Sequence, residues 1–191
     1  MSKSLHHPDF ERDSCGFGLI VRLDDQADHA VLVDALTALA RLTHRGAVAP
    51  DGKTGDGCGI LVKTPVRFLR AALADQGVAL DDRFAVGMLF LDSSPDRAAR
   101  QREAIEAGLN AFGMAIAGWR QVPVDDRVLG EAARARRPSI EQLFINRPDN
   151  LDEAQFERQL FLARRRIEAT INDDRFYIAS LSSQTLSYKG M

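Results

Sequence analysis

The chain has 191 residues, of which 45% are hydrophobic and 27% are charged, and its formal net charge is -2. This length can bury one substantial core, so it predicts one domain or most of one. The acidic balance argues against a nucleic-acid surface, on which basic residues should outnumber acids and cluster on one face. No stretch approaches the roughly 20 apolar residues of a membrane span, and the charged residues within 9–13 exclude an export signal at the start.

The cysteine and histidine content further narrows the classes of protein to which the chain can belong. Cys15 and Cys58 are too few for a disulfide scaffold, and the four histidines are scattered without metal-ligand spacing. These observations favour small-molecule chemistry in a reducing, cytoplasmic setting, with no metal site, no nucleic-acid partner and no membrane.

Hydrophobic periodicity predicts helices interspersed with strands. The predicted order is strand 15–23, helix 30–44 ending at Gly46, strand 60–62, helix 65–76, strand 84–91, helix 95–112, extended segment 114–124, helix 125–135, strand 140–145, helix 152–171, and a closing hairpin of 176–181 with 186–188. Such an order over short connections is typical of a layered fold with helices packed outside sheets. The chain stops at Lys189-Gly190-Met191, directly after a strand, which indicates a cut through a domain.

Cys15 opens the run Cys-Gly-Phe-Gly-Leu-Ile behind a polar leader, residues 1–14. If the leader is removed, Cys15 becomes the amino terminus. Its α-amine, with a pKa of about 8, and its thiol, with a pKa of about 8.5, then form a base and a nucleophile on one residue. This arrangement predicts a catalytic role for Cys15.

The alternative is that Cys15 is a small buried hydrophobic residue, which is the commoner role of a lone cysteine on an apolar strand. Gly16 leaves room for a substrate backbone beside the thiol, and Asp13-Ser14 form a polar, turn-forming approach. Both details favour the nucleophile without deciding between the two interpretations.

The glycine-rich loop Asp51–Gly59 contains Gly52-Lys53-Thr54, which is similar to the end of a phosphate-binding loop. The spacing excludes that function, because residue 47 is alanine where the motif needs glycine, and no strand leads into the loop. The glycines of the loop allow left-handed turns, and Asp56 is placed to accept hydrogen bonds from backbone amides. Two interpretations remain open for the loop: a tight hairpin entrance, or a wall beside the nucleophile.

His44-Arg45-Gly46 ends the first predicted helix, where a cation complements the helix dipole and glycine supplies the cap. A guanidinium keeps its charge at working pH, so Arg45 next to a thiol would also favour the thiolate. Helix capping and an anchoring role both remain open for Arg45.

Three ordered motifs carry a resemblance to a known family. They are Cys-Gly-Phe-Gly-Leu-Ile at 15–20, Thr-His-Arg-Gly-Ala at 43–47 and Thr-Gly-Asp-Gly-Cys-Gly-Ile at 54–60, and segments 86–91, 163–168 and 188–190 extend the likeness over essentially the whole chain. Together they resemble the amino-terminal glutaminase domain of bacterial glutamate synthase large subunits, which is a class II glutamine amidotransferase domain.

The resemblance implies an α+β fold of the amino-terminal-nucleophile type, with two antiparallel sheets sandwiched between helices in four layers and incomplete at the C-terminus. It implies that residues 1–14 are a propeptide and that residues 15–191 are the N-terminal part of the amidotransferase domain. Cys15 matches the catalytic nucleophile. Arg45, Gly46, Asp56 and Gly57 are offered as site-shaping neighbours.

The implied activity is hydrolysis of L-glutamine to glutamate and ammonia, with the ammonia used for glutamate synthesis from 2-oxoglutarate. The oxyanion-hole Asn-Gly pair and the residues that hold the glutamine α-groups are expected beyond residue 191, so we expect the isolated chain to be inactive. FMN and an iron–sulfur cluster are implied for the full-length enzyme, with no cofactor site in this chain. The implied partners are the remainder of the large subunit and a small electron-donating subunit.

Two rival functions are kept. One is a non-catalytic truncated remnant that at most binds a larger subunit. The other is a thiol redox module that uses Cys15 and Cys58, which ranks last because the two cysteines lack Cys-X-X-Cys spacing.

Overall fold

The helices and strands follow the predicted order over most of the chain. The structure is a computed structural model that describes residues 16–190, which form two compact units divided after Cys58. The helices are α1 His29–Ala40, α2 Val66–Leu73, α3 Pro95–Asn110, α4 Glu131–Ala135 and α5 Glu153–Ile171. The strands are β1 Cys58–Lys63, β2 Phe84–Leu91, β3 Ile116–Gln121, β4 Ser139–Asn146, β5 Tyr177–Ser182 and β6 Thr185–Gly190. In this part of the chain no helix has the length and apolar character that crossing a bilayer requires.

The first unit contains α1 and the loops on either side of it. Asp28 caps α1, because its Oδ1 accepts a hydrogen bond of 2.9 Å from the amide of Ala30. The helix ends at Ala40 rather than at the predicted His44, and a separate 3-10 turn spans Thr43–Arg45. The predicted strand 15–23 is wrong over its described residues 16–23. They pair with no described strand, and an extended segment without a neighbour leaves its backbone groups unpaired.

The centre of the second unit is a four-stranded antiparallel sheet in the order β3-β4-β2-β5. Strand β2 lies between β4 and β5, and its register with β4 runs from Phe84 opposite Asn146 to Leu91 opposite Ser139. The predicted strand 84–91 is confirmed as β2. Every residue of β2 except the half-buried Phe90 is buried, as its continuous apolar run indicates for a strand enclosed on both faces.

The two faces of this sheet carry separate cores, because successive side chains of a strand point to opposite faces. On one face Ala85, Leu89 and Leu91 of β2 pack with buried residues of α3 and α5. The two helices approach closely: a Cβ built on Gly108 of α3 would lie only 2.4 Å from Cγ1 of Ile167 on α5. Glycine at this position therefore permits the helix contact.

The opposite face of the sheet packs against α2 and against a two-stranded sheet of β1 and β6. Phe84, Val86 and Met88 of β2 meet Leu69 of α2 and Leu186 of β6 in this second core. Helices, the four-stranded sheet and the two-stranded sheet thus form successive layers of the second unit. These layers confirm the predicted α+β class, with helices packed outside antiparallel sheets.

The predicted closing hairpin is wrong, although both of its strands exist. Strand β5 pairs with β2 in the larger sheet, whereas β6 pairs with β1 in the smaller one. The connection is held by α5, because the Glu157 carboxylate accepts hydrogen bonds from the Ser182 hydroxyl at 3.0 Å and from the Ser183 amide at 2.5 Å. The chain therefore passes from the four-stranded sheet to the two-stranded sheet at the turn between β5 and β6, although so short a turn usually indicates a hairpin.

Of two further predicted helices, one is shortened and the other is confirmed. Helix 125–135 is reduced to α4, because the Asp125 carboxylate accepts a hydrogen bond from the amide of Arg127 and forms a local turn in place of the first half of the helix. Helix 152–171 is confirmed: Asp152 is the N-cap of α5, and it exchanges side-chain and backbone hydrogen bonds with Gln155 in a capping box.

An ion pair between a buried carboxylate and a partly exposed guanidinium joins α3 to β4. The Glu141 side chain is only 5% exposed, and Arg102 binds both of its oxygens, at 2.8 Å from Nε and 2.5 Å from Nη2. The carboxylate raises the pKa of Arg102. Because the charge of Glu141 is removed from water, the guanidinium is what makes its burial tolerable.

Replacing Arg102 by Met should lower the free energy of unfolding by about 2–4 kcal/mol, because Glu141 would keep a buried charge without a counter-ion. The matched change Arg165→Met removes a guanidinium that is 67% exposed beside Glu168. It should cost less than about 0.5 kcal/mol. Urea unfolding of both variants measures the two losses in free energy of unfolding. Equal losses would contradict the role of Arg102 as the counter-ion of a buried charge.

Candidate active site

Cys15, the predicted nucleophile, lies outside the described residues, but its neighbour Gly16 is described. A Cβ built on Gly16 would lie 3.3 Å from Cγ and 3.5 Å from Cβ of Arg45. The space beside Gly16 is therefore occupied by the aliphatic part of Arg45. The structure brings this predicted site residue next to the residue that follows Cys15.

Arg45 is the last residue of the 3-10 turn, and its amide donates a hydrogen bond of 2.8 Å to the carbonyl of Leu42. In the same turn, Nδ1 of His44 donates to the carbonyl of Arg41 at 3.1 Å. The prediction that Gly46 caps α1 is wrong. Gly46 has an extended backbone, with φ -111° and ψ 153°, and it follows the 3-10 turn rather than the helix.

The glycine-rich loop is a hairpin, as one of its two open interpretations predicted. Val48 and Gly55 form an antiparallel bridge, and the amide of Ala49 donates to the carbonyl of Thr54 at 2.7 Å. At the tip, Gly52 has a left-handed φ of 67°. Glycine at position 55 allows two backbone segments to approach each other, because a Cβ there would lie only 3.0 Å from the carbonyl oxygen of Ala47.

Asp56 closes the base of this hairpin. Its Oδ2 accepts a hydrogen bond of 2.9 Å from the amide of Ala47, and its own amide donates to the carbonyl of Ala47 at 3.1 Å. The predicted contact of Asp56 with a backbone amide is thus confirmed. The segment that follows Arg45 is thereby tied to the segment that precedes β1.

Gly57 is exposed and joins Asp56 to Cys58, the first residue of β1. The Cys58 thiol is free and exposed. In the described chain, then, Arg45, Gly46, Asp56 and Gly57 all belong to one segment, which begins at the 3-10 turn and ends at β1.

Asp51 was missed by the sequence analysis, although it organises the tip of the hairpin. Its carboxylate accepts hydrogen bonds from the Thr54 hydroxyl at 2.6 Å and from the amides of Thr54 and Lys53 at 2.8 and 3.0 Å. These donors, the Thr54 hydroxyl above all, lower the pKa of Asp51 to about 2. The signal was present in the sequence, because aspartate two residues before an amide commonly forms such a turn.

The described residues offer no site for a metal or an iron–sulfur cluster. No group of three or more His, Cys, Asp or Glu side chains between residues 16 and 190 could hold a metal ion. The whole sequence has two cysteines, whereas a cluster of this kind is usually bound by four thiolates. The residues of this chain therefore do not fit an iron–sulfur cluster.

Comparison with known proteins identifies the class. The family model described as glutamine amidotransferases class II matches residues 15–191. The chain belongs to this family, whose fold is of the amino-terminal-nucleophile hydrolase type. The layered antiparallel sheets and outer helices of the second unit agree with that fold.

The relatives of the chain are glutamate synthases. It is 41% identical to the large chain of the NADPH glutamate synthase of Azospirillum brasilense over 98% of its own length, and 36% identical to that of Bacillus subtilis over 100%. It is 38% identical to the ferredoxin-dependent glutamate synthase of Pyropia yezoensis over 100%. The chain spans about 13% of the length of each of these proteins.

Titration of Asp51 should show a midpoint at a pH of about 2. Because the pKa is lower in the folded loop than in the unfolded chain, the carboxylate stabilises the loop fully above about pH 4 and loses this effect as the pH falls through the folded pKa. Thr54→Val removes the hydroxyl donor and should raise the midpoint toward the ordinary value, whereas Thr43→Val should leave it unchanged. Carboxyl chemical shifts in NMR measure the midpoints, and an unshifted wild-type midpoint would contradict the role of Thr54.

Proposed function

We propose that Cys15, exposed as the amino terminus by removal of residues 1–14, is the nucleophile of a glutaminase that supplies ammonia for glutamate synthesis. The observation that carries this proposal is the family match, which begins at Cys15 itself. The packing of Arg45 against Gly16 supports it, because the side chain of a cationic residue lies against the residue that follows Cys15 in the sequence.

In the proposed reaction the α-amine of Cys15 takes the thiol proton, and the thiolate attacks the side-chain amide carbon of L-glutamine. The resulting tetrahedral oxyanion collapses when the leaving nitrogen receives the proton and departs as ammonia. The γ-glutamyl thioester that remains is attacked by water, which loses a proton to the amine. Glutamate is released and the thiol is restored.

Arg45, Gly46, Asp56 and Gly57 shape the site in this proposal. The guanidinium of Arg45 keeps its charge at working pH and so favours the thiolate over the thiol. The two hydrogen bonds between Asp56 and Ala47 fix the segment that follows Arg45 and limit how far that residue can move. These residues act by position rather than by taking part in bond formation.

The remaining components are proposed for a larger protein. They are the rest of the large subunit, a small electron-donating subunit, FMN and an iron–sulfur cluster, in the cytoplasm. The sequence contains no Asn-Gly pair that could form the oxyanion hole implied by the resemblance. Loss of one oxyanion donor typically slows such reactions by about 10²–10³. We therefore expect the 191-residue chain alone to hydrolyse glutamine at least that much more slowly than the complete gene product.

The test of the nucleophile is glutamine hydrolysis by the complete gene product. Cys15→Ala should reduce the rate at least about a thousandfold, because no other group replaces the thiolate. Cys58→Ser is the matched control and should keep most of the activity. It also separates the proposal from a thiol redox function, which would need both cysteines.

Intact mass provides the second measurement on the same samples. The active protein should begin at Cys15, with residues 1–14 absent. A fully active protein that retains Met1, or an active Cys15→Ala variant, would refute the proposal. Absence of any glutaminase activity in the complete gene product would favour the non-catalytic remnant.

The positioning role of Asp56 can be tested in the same assay. Asp56→Ala should lower kcat/KM by about tenfold or more, because displacement of a site segment by about 1 Å can cost a factor of this order. Asp51→Ala disturbs only the tip of the hairpin and should have a much smaller effect. Equal effects of the two changes would show that Asp56 has no special part in positioning the site.

A further inference from the structure

A cleft of about 650 Å³ lies at one end of the four-stranded sheet, entirely within the second unit. It is bordered by the residues just before β2, by those just after β4 and by the first turn of α5. Its volume is in the range of small-molecule sites. The buried side chains of Leu151 and Phe156 contribute an apolar part of its wall.

Arg83 and Arg147 both line this cleft and face each other across two strands. The amide of Arg147 donates to the carbonyl of Arg83 at 2.9 Å, which extends the β2–β4 register by one pair beyond Phe84 and Asn146. Residues opposite each other in antiparallel strands project from the same face of the sheet, and like charges in such a pair are unfavourable. Within residues 16–190 neither guanidinium forms an ion pair or hydrogen bond.

None of the four carboxylates that line the cleft forms an ion pair with Arg83 or Arg147 among the described residues, and three of them have other hydrogen-bond or ion-pair partners. Asp152 accepts from the amide of Gln155, Glu153 from the side-chain amide of Gln184, and Asp82 is 3.4 Å from Arg70. Asp149 is exposed, and no described side chain pairs with it. The charged groups of the cleft that lack a described partner are therefore two cations and one anion, while Asp152 and Glu153 keep their charges next to them.

We propose that this cleft binds an acidic α-amino acid, with its two carboxylates on Arg83 and Arg147 and its ammonium group on Asp149. Guanidinium–carboxylate pairs are among the strongest charge-assisted hydrogen bonds, and two of them remove the repulsion between the opposed arginines. The methylene groups of the ligand would lie against Leu151 and Phe156. The cleft is built from residues of the second unit alone, so this proposal does not rest on Cys15, and it adds an effector function to the proposed glutaminase.

The charge pattern also sets the selectivity. L-glutamine lacks the second carboxylate, glutarate lacks the ammonium group, and sulfate has neither the length nor the ammonium group to reach all three residues. We therefore expect L-glutamate to bind most tightly among these four. Glutamine should bind at least about tenfold more weakly, because one charged pair is lost.

Calorimetric titration of the purified 191-residue chain tests the proposal, using L-glutamate, L-glutamine, glutarate and sulfate as probes. Saturable binding of glutamate should weaken at least about tenfold in Arg83→Gln and in Arg147→Gln. Arg127→Gln, which removes an exposed guanidinium beside Asp125, is the matched control and should bind as the wild type does. Both test variants should keep their thermal midpoints, because no described side chain loses a partner.

Several outcomes would overturn the site. They are absence of saturable glutamate binding to the folded chain, equal binding of glutamine, equal binding of sulfate, or unchanged binding in both arginine variants. The same titration on Cys15→Ala distinguishes this site from the glutaminase site. Binding that survives Cys15→Ala supports the cleft, whereas binding lost with Cys15 assigns the ligand to the nucleophile.

Discussion

The second unit depends on the enclosure of β2 on both faces. Its alternating side chains enter two different cores, one shared with α3 and α5, the other with α2, β1 and β6. Because protein interiors are close-packed, a change of volume in this strand is transmitted to the layers on both sides. The smaller sheet lies on one side of β2 and the helices α3 and α5 lie on the other, so they are linked through this strand.

Sequence patterns predicted those elements whose cause is local. The uninterrupted apolar run predicted strand β2, and Asp152 predicted the start of helix α5; both signals are complete within a few residues, and both predictions are correct. The division of β5 and β6 between two sheets was not predictable in this way. The polar groups of their connection are hydrogen-bonded to Glu157 on α5. The sequence of a two-residue turn gives no sign of that contact.

The same distinction applies to the candidate site. The glycines and Asp56 indicated a shaped loop, and the hydrogen bonds between Asp56 and Ala47 agree with that prediction because they form within a short segment. The packing of Arg45 on Gly16 brings together residues separated by the whole of α1. No periodicity could have shown this proximity, although it bears most directly on the chemistry proposed for Cys15.

The pairing of β1 with β6 imposes an order on synthesis of the chain. Strand β1 leaves the ribosome before its partner β6, and nearly the whole second unit lies between them in the sequence. Joining strands so distant in sequence carries a high entropic cost until the intervening layers have formed. Until β6 has been made, the edge of β1 is therefore open to unintended pairing with other nascent polypeptides, and chaperone binding to this segment would protect it.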